Sequence, residues 1–500
     1  PTAEMLERRR RLERIDAGYE IGVGTADEFF RAVEREAVGG ASVPVWRGEL
    51  YFEMHRGTLT SQINTKLGNR RCERLLVEAE LWSAYGGVDA DVDDLWREVL
   101  TLQFHDILPG SSIAWVHSEA EEAFSRIEAD LHDRITGLLG DIAPAGSVLV
   151  NPADAPIDGI VRVPVATSDH NVPDRTQRVS DGTLAVNVSV PALGLAHLEP
   201  RPTDDRVVVT SSSMTNSHLA VRWGDDGFLT SVIDIDHARE LIPDAGRGAV
   251  LELARDQPVE YDAWDLESWT RAAGRPVGGD VDIEVLDSGP LVGRVRVRRR
   301  VGPSLFEVVY EMCAESPELR IHVDLDWHHD EHLLSMAFPI DVRADEASCD
   351  VQFGVTRRPT HPSSPWDAAK FEVCAHRFVD LSEPSFGVAV LNDGRYGHGL
   401  FDGAVRVSLA RAAKYPDPDA DHGRHRVTLA LLPHGPGLRV VRAAASLLNS
   451  PPRLVLNGST DTVPIQLVRV EGTGGTDPGV GIDAVKPADD GSGDLVVRFH

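Results

Sequence analysis

The stretch LQFHDILPGSS at 102–112 sets an imidazole and a carboxylate, His105 and Asp106, side by side just ahead of a Pro-Gly pair. Leu95, Val99 and Leu102 mark the apolar stripe of the helix leading into it. At 100° per residue His105 falls roughly 110° from the centre of that stripe, at the edge of the buried face and not in the core. Two readings stay open at this point. His105 is a cation favoured by a helix C-terminus and Asp106 a turn former before Pro109, or the two belong to a site that other segments complete.

Two further stretches have the residue types for chemistry. IHVDLDWHHDEH at 321–332 contains His322 and Asp324 at a metal-like H-x-D spacing, and i and i+2 share one face of a strand. Ile321, Val323 and Leu325 alternate against His322, Asp324 and Asp326, however, which is the pattern of a strand with one wet face. YDAWDLESW at 261–269 mixes aromatic rings with carboxylates. That mixture grips sugars, rings against CH faces and carboxylates against hydroxyls, and it equally suits a packed segment between domains. There is no Gly-rich phosphate loop, nucleophile elbow or aromatic-basic stripe in the sequence.

Three zones must position these residues. Residues 1–42 read as a helix, a short strand (YEIGVG) and a second helix opened by Thr25, whose Thr-Ala-Asp-Glu run to Glu28 has the form of a capping box. So few residues make the tail of an α/β domain. From 58 to 142 the chain is helical. Leu59, Ile63, Leu67, Leu75, Ala79 and Trp82 mark a first helix. Val92, Leu95, Val99 and Leu102 mark a second, ended by Pro109 and Gly110. Ser111 or Ser112 is expected to cap a third, running to about Gly140. Short joins make these a bundle. From about Ser147 onward the period is two, as in RVRVRRRV and RVTLALLP, with Gly, Pro and Asp turns. The expected fold class is multidomain α+β. It comprises 1–45 as the remnant of an α/β domain, 46–145 as a three-helix bundle, and 146–500 as antiparallel β-sandwich domains.

The 500 residues are too many for one core and suggest several domains. Lys+Arg of 50 against Asp+Glu of 79 gives a net charge of -29, which weighs against nucleic acid and anionic membranes as partners. Lysine is confined to Lys66, Lys370, Lys414 and Lys486. This acidic, Lys-poor balance suits a salt-loaded cytoplasm, although a GC-rich genome would also favour Arg. Cys72, Cys313, Cys349 and Cys374 are widely spaced and read as reduced thiols of a cytoplasmic protein. No apolar run approaches the roughly 20 residues of a membrane helix. The chain opens on Pro1 and not on Met, so a fragment boundary is expected there.

Several stretches in order, WRGELYFEMHRGTLTSQ (46–62), LQFHDILPGSS, YDAWDLE, RRPTHPSSPWDAAKFEV (357–373), LNDGRYGHGL (391–400) and KYPDPDADHGRHRVTLALLPHG (414–435), resemble glycoside hydrolase family 38 α-mannosidases of the bacterial and archaeal branch. The resemblance covers essentially the whole chain. It implies an N-terminal α/β domain, a three-helix bundle and C-terminal β-sandwiches, and a retaining hydrolase that removes α-linked mannose with one divalent metal, usually zinc. In that family an H-x-D pair, the Asp nucleophile and the bundle's His ligate the metal. Only the last maps here, to His105, and the carboxylate that hydrogen-bonds mannose maps to Asp106. The resemblance also makes Arg56, Asp262, Trp264 and Asp265 candidates for lining the pocket, with a structural role for Arg56 as the alternative.

The family's other ligands, its nucleophile and its general acid precede the segment matching Pro1, and His322 and Asp324 lie in the wrong domain to replace them. Retaining hydrolysis needs two carboxyls roughly 5–5.5 Å apart, so residues 1–500 alone are expected to be inactive. The implied partners are a mannose-containing oligosaccharide, the N-terminal catalytic domain and, since members are often dimers or tetramers, a second copy of the chain. The competing reading is a non-catalytic sugar-binding or scaffolding subunit. A truncated product with an uncovered apolar face is a third.

Overall fold

The computed structural model describes residues 1–500 apart from 1, 16–17, 19–20, 41, 51–53, 165–174, 457–465 and 471–478. The chain divides into two units, residues 1–51 and 52–500.

The first unit contains α1 (Ala3–Leu12) and α2 (Ala26–Val38), neither of which buries a residue. Exposed i,i+4 pairs, Glu4 with Arg8 at 2.6 Å and Glu7 with Arg11 at 3.0 Å, line α1. The capping box of α2 forms as expected: Thr25 Oγ1 accepts from the Glu28 N–H, and the Glu28 carboxylate accepts from the Thr25 N–H. The expected strand does not form over 21–24, and Tyr19 and Glu20 lie outside the described residues. A strand needs a neighbour to pair its backbone groups, and none of the described residues of this unit supplies one.

The second unit begins with three helices, α3 (Ile63–Gly86), α4 (Asp93–Leu102) and α5 (Ala114–Ile142). Leu75, Leu76, Ala79 and Trp82 of α3 pack with Phe124, Ile127, Leu131, Ile135 and Leu139 of α5, the three- and four-residue spacing of helix faces. The helix ends differ from expectation at three places. A 3-10 turn, Arg56–Leu59, precedes α3, which starts at Ile63 and not at Thr58. The second helix stops at Leu102, and 103–110 form successive turns carrying His105 and Asp106, so Pro109 ends a turn and not a helix. The residue capping α5 is Ile113, without a side-chain bond, and not Ser111 or Ser112; the Ser111 hydroxyl donates instead to Asp106 and the Ser112 N–H to His117.

All strands from Ser147 to Phe499 pair antiparallel, in several sheets. The largest has nine strands and places Leu319–Trp327 beside Gly423–His434. A six-stranded sheet places His332–Pro339 beside Ala404–Arg411. A three-stranded sheet pairs Ser147–Asn151 with Arg453–Leu456, and its Val148 and Val150 join the helical core. Arg453 reaches Glu78 on α3 with bonds of 2.5 and 2.9 Å, and the Tyr85 hydroxyl donates to Leu193 O at 2.6 Å. These contacts hold α3 against the β structure. All four cysteines are free thiols. Among the described residues no helix is long and apolar enough to cross a membrane.

Candidate functional site

The N-terminus of α3 is where the candidate segments meet. Gln62, its N-cap, has a left-handed backbone and makes no local side-chain cap. The cap comes from far along the chain: the Asp421 carboxylate accepts from the N–H groups of Gln62 at 2.8 Å and Ile63 at 2.7 Å. A carboxylate at that position also faces the positive end of the helix dipole. The Gln62 amide donates to Asp417 at 2.7 Å.

One turn into the helix, buried Lys66 donates from Nζ to Ser61 O at 2.5 Å and to Leu108 O at 2.9 Å. This ties the His105–Asp106 turn to α3. Burial lowers the Lys66 ammonium from its ordinary range, opposed by Asp421. Burial raises Asp421 in turn, opposed by the two N–H bonds and by Lys66. Gly110 lies against the same place: its φ is +85°, and a Cβ there would come within 2.2 Å of Ser61 O. Only glycine fits. His117 completes this wall. Its Nε2 accepts from the Ser112 N–H at 3.2 Å, and burial, with Lys66 nearby, pushes it down to about 4, so it is neutral near pH 7.

On this base the His105–Asp106 pair stands open to solvent, with side chains 77% and 46% exposed and Nε2 3.4 Å from Oδ2. The other Asp106 oxygen accepts from the Ser111 hydroxyl at 3.1 Å. The Phe104 ring lies 4.2 Å from the imidazole. The pair offers one nitrogen and one carboxylate. Zinc is held by three or four protein ligands, and among the described residues no three or more His, Cys, Asp or Glu gather as a metal site. The described residues of this chain therefore do not fit a zinc centre by themselves.

Arg411 organises the second wall. Its side chain is fully buried and donates from Nε to Asp256 at 2.5 Å and from Nη1 to the Ser61 hydroxyl at 3.0 Å and Ala263 O at 3.2 Å. Nη2 donates to Asp262 O at 2.7 Å and to Asp265 O. The YDAWD turn thus wraps its carbonyls around one guanidinium, which matches the fork of donors that arginine provides. Gly57 packs on the same group, a Cβ there falling 2.2 Å from Nη1.

The carboxylates of the turn are engaged by backbone. Asp262 accepts from the N–H groups of Lys414 at 2.5 Å and Tyr415 at 3.2 Å, and Asp265 from that of His55 at 2.5 Å. Trp264 is half-buried and meets Tyr261 edge-on at 6.3 Å. Arg56 is buried, donates to Ala369 O at 2.9 and 2.6 Å, and lies 4.8 Å above the Phe371 ring.

One chain of bonds therefore joins the sequence candidates other than Arg56, from the His105 turn through Leu108 O, Lys66, Ser61 and Arg411 to the turn of Asp262, Trp264 and Asp265. Sequence reasoning missed Lys66, Arg411, Asp417 and Asp421. The only signals were a rare lysine on α3 and the acidic run before His422. The H-x-D stretch is the wet strand face: Asp324 accepts from Arg424 at 2.8 and 2.6 Å and from Arg426 at 3.0 Å.

Residues 53–141 match the alpha mannosidase middle domain, and residues 214–419 match the glycosyl hydrolases family 38 C-terminal domain. Alpha-mannosidase 2C1 of Homo sapiens is 34% identical over 482 residues, covering 89% of this chain and 44% of that protein. The chain belongs to glycosyl hydrolase family 38. The alpha-mannosidase of Saccharomyces cerevisiae is 28% identical over 471 residues, 87% of this chain and 40% of that protein. An alpha-mannosidase from Enterococcus faecalis shares the fold, with a TM-score of 0.75 at 16% identity over 100% of this chain and 69% of that one. The chain spans about half the length, or less, of the curated relatives it matches, 40% to 51% for the four alpha-mannosidases.

Proposed function

We propose that this chain is part of a retaining, metal-dependent α-mannosidase that removes terminal α-mannose from oligosaccharides or glycoconjugates, and that residues 1–500 alone are inactive. The carrying observation is the exposed His105–Asp106 pair on a turn locked to α3 by Lys66. Membership of a family whose similar members are alpha-mannosidases gives it its chemistry. In this reading His105 is one donor to a zinc ion and Asp106 accepts a hydrogen bond from a mannose hydroxyl. The other metal ligands, the nucleophile and the general acid come from outside residues 1–500. Arg56, Asp262 and Asp265 hold the pocket wall, and Trp264 with Tyr261 offers ring surface to a sugar.

The test is metal content and α-mannoside hydrolysis of the whole protein, with and without His105→Ala. Loss of metal and rate together is the expected result. A variant that keeps both removes His105 from the site. A whole protein that hydrolyses other α-glycosides but no α-mannoside ends the substrate assignment.

A further inference from the structure

A cavity of about 470 Å³ opens between α3 and the β structure, within the volume range of small-ligand pockets. Arg70, Arg71 and Arg74 line it from one side and Arg377 from the other. Five acids also line it, and each has its own donor. Glu78 accepts from Arg453, Asp350 from Arg377, Asp483 pairs with His500, Glu73 accepts from Gln103 and Asp393 from the Thr428 N–H.

The arginines of α3 are not matched in the same way. Arg70 donates to neutral groups, the Asn449 side-chain oxygen at 3.0 Å and His376 O at 3.0 Å, and lies 5.4 Å above the Tyr396 ring, with Glu73 as the nearby opposite charge. Arg71 has a distant partner, Glu128 at 3.9 Å. Arg74, half-buried, makes no hydrogen bond or ion pair with any described residue. Arg70 and Arg74 stand four residues apart on one helix face, where like charges repel. Glu78 is the main charge opposing Arg74, but its oxygens are engaged by Arg453, which leaves the Arg74 donors to solvent or to a ligand that supplies acceptors. His376, held down to about 4 by burial and then by Arg70, stays neutral near pH 7, so the positive charge of the cavity is that of the arginines alone.

We propose that this cavity binds a phosphate dianion, free or as a sugar phosphate monoester, with Arg74 as its principal anchor and Arg70 and Arg71 beside it. Phosphate matches the planar fork of arginine and accepts several charge-assisted hydrogen bonds at once. The remaining wall, with Asn449 and Ser450, offers polar groups to a sugar.

The test is calorimetric titration of the full chain at constant ionic strength with inorganic phosphate, mannose 6-phosphate and mannose. Binding of one or both phosphate species, and none of mannose, is expected. The stronger of the two identifies the source as the free ion or the ester. Arg74→Gln should weaken that binding roughly tenfold or more, the share of a charge-assisted hydrogen bond. If that variant does not fold, Arg71→Gln, at a side chain 45% exposed, carries the same test. Failure of both phosphate species to bind at millimolar concentration overturns the proposal. So does unchanged affinity in the folded variant.

Discussion

Replacing Arg411 by Met removes one partner of a fully buried ion pair and leaves Asp256, 1% exposed, with a charge and no counterion. Breaking such a pair from one side costs about 3–5 kcal/mol, or roughly two to three and a half orders of magnitude in an unfolding constant. The same change deprives Asp262 O, Ala263 O and Asp265 O of their donor. The YDAWD turn should then open locally. Urea denaturation measures the global loss. Amide hydrogen exchange at His55, Lys414 and Tyr415 measures the local one, since Asp265 and Asp262 hold those N–H groups. The double change Arg411→Met with Asp256→Leu should recover the part due to the stranded charge but not the part due to the carbonyls. A single variant that costs less than about 1 kcal/mol, or leaves exchange at those amides unaltered, refutes the view of Arg411 as the organiser of this wall.

Two further expectations concern the close approach at Gly110 and two buried histidines. Gly110→Ala places a Cβ against Ser61 O at a positive φ and should cost about 1–3 kcal/mol; an unchanged urea midpoint would show that the His105 turn does not need this close approach. Burial holds His398 and His425 down to about 4, below the ordinary 6.5, so between those values the unfolded chain binds protons that the folded one does not. Stability is therefore full above about 6.5 and declines as pH falls towards 4. Denaturation midpoints at stepped pH values check this, and His425→Gln should flatten the decline.

The alternation of Ile321, Val323 and Leu325 with His322, Asp324 and Asp326 correctly marked a strand with one wet face, because period two is a local property. The capping box of α2 was equally legible, being complete within four residues. The end of α4 was not. Phe104, Ile107 and Leu108 continue a helical spacing, and the turn that replaces it presents Leu108 O to Lys66, 42 residues earlier. The YEIGVG strand failed in its described part for the complementary reason, since local β character gains nothing without a neighbouring strand.

The sequence by itself determined the helix and strand segments, whose periodicities report which face each must bury, and the ordered motifs that carry the family. It also singled out His105 and Asp106 as an adjacent polar pair beside a chain stop. Tertiary structure alone decided what holds that pair. Lys66 is bonded to Leu108, Asp421 caps a helix 359 residues away, and Arg411 reaches Ser61 across 350. Buried charges must find partners wherever packing brings them, and which partners those are depends on strand order and not on spacing along the chain.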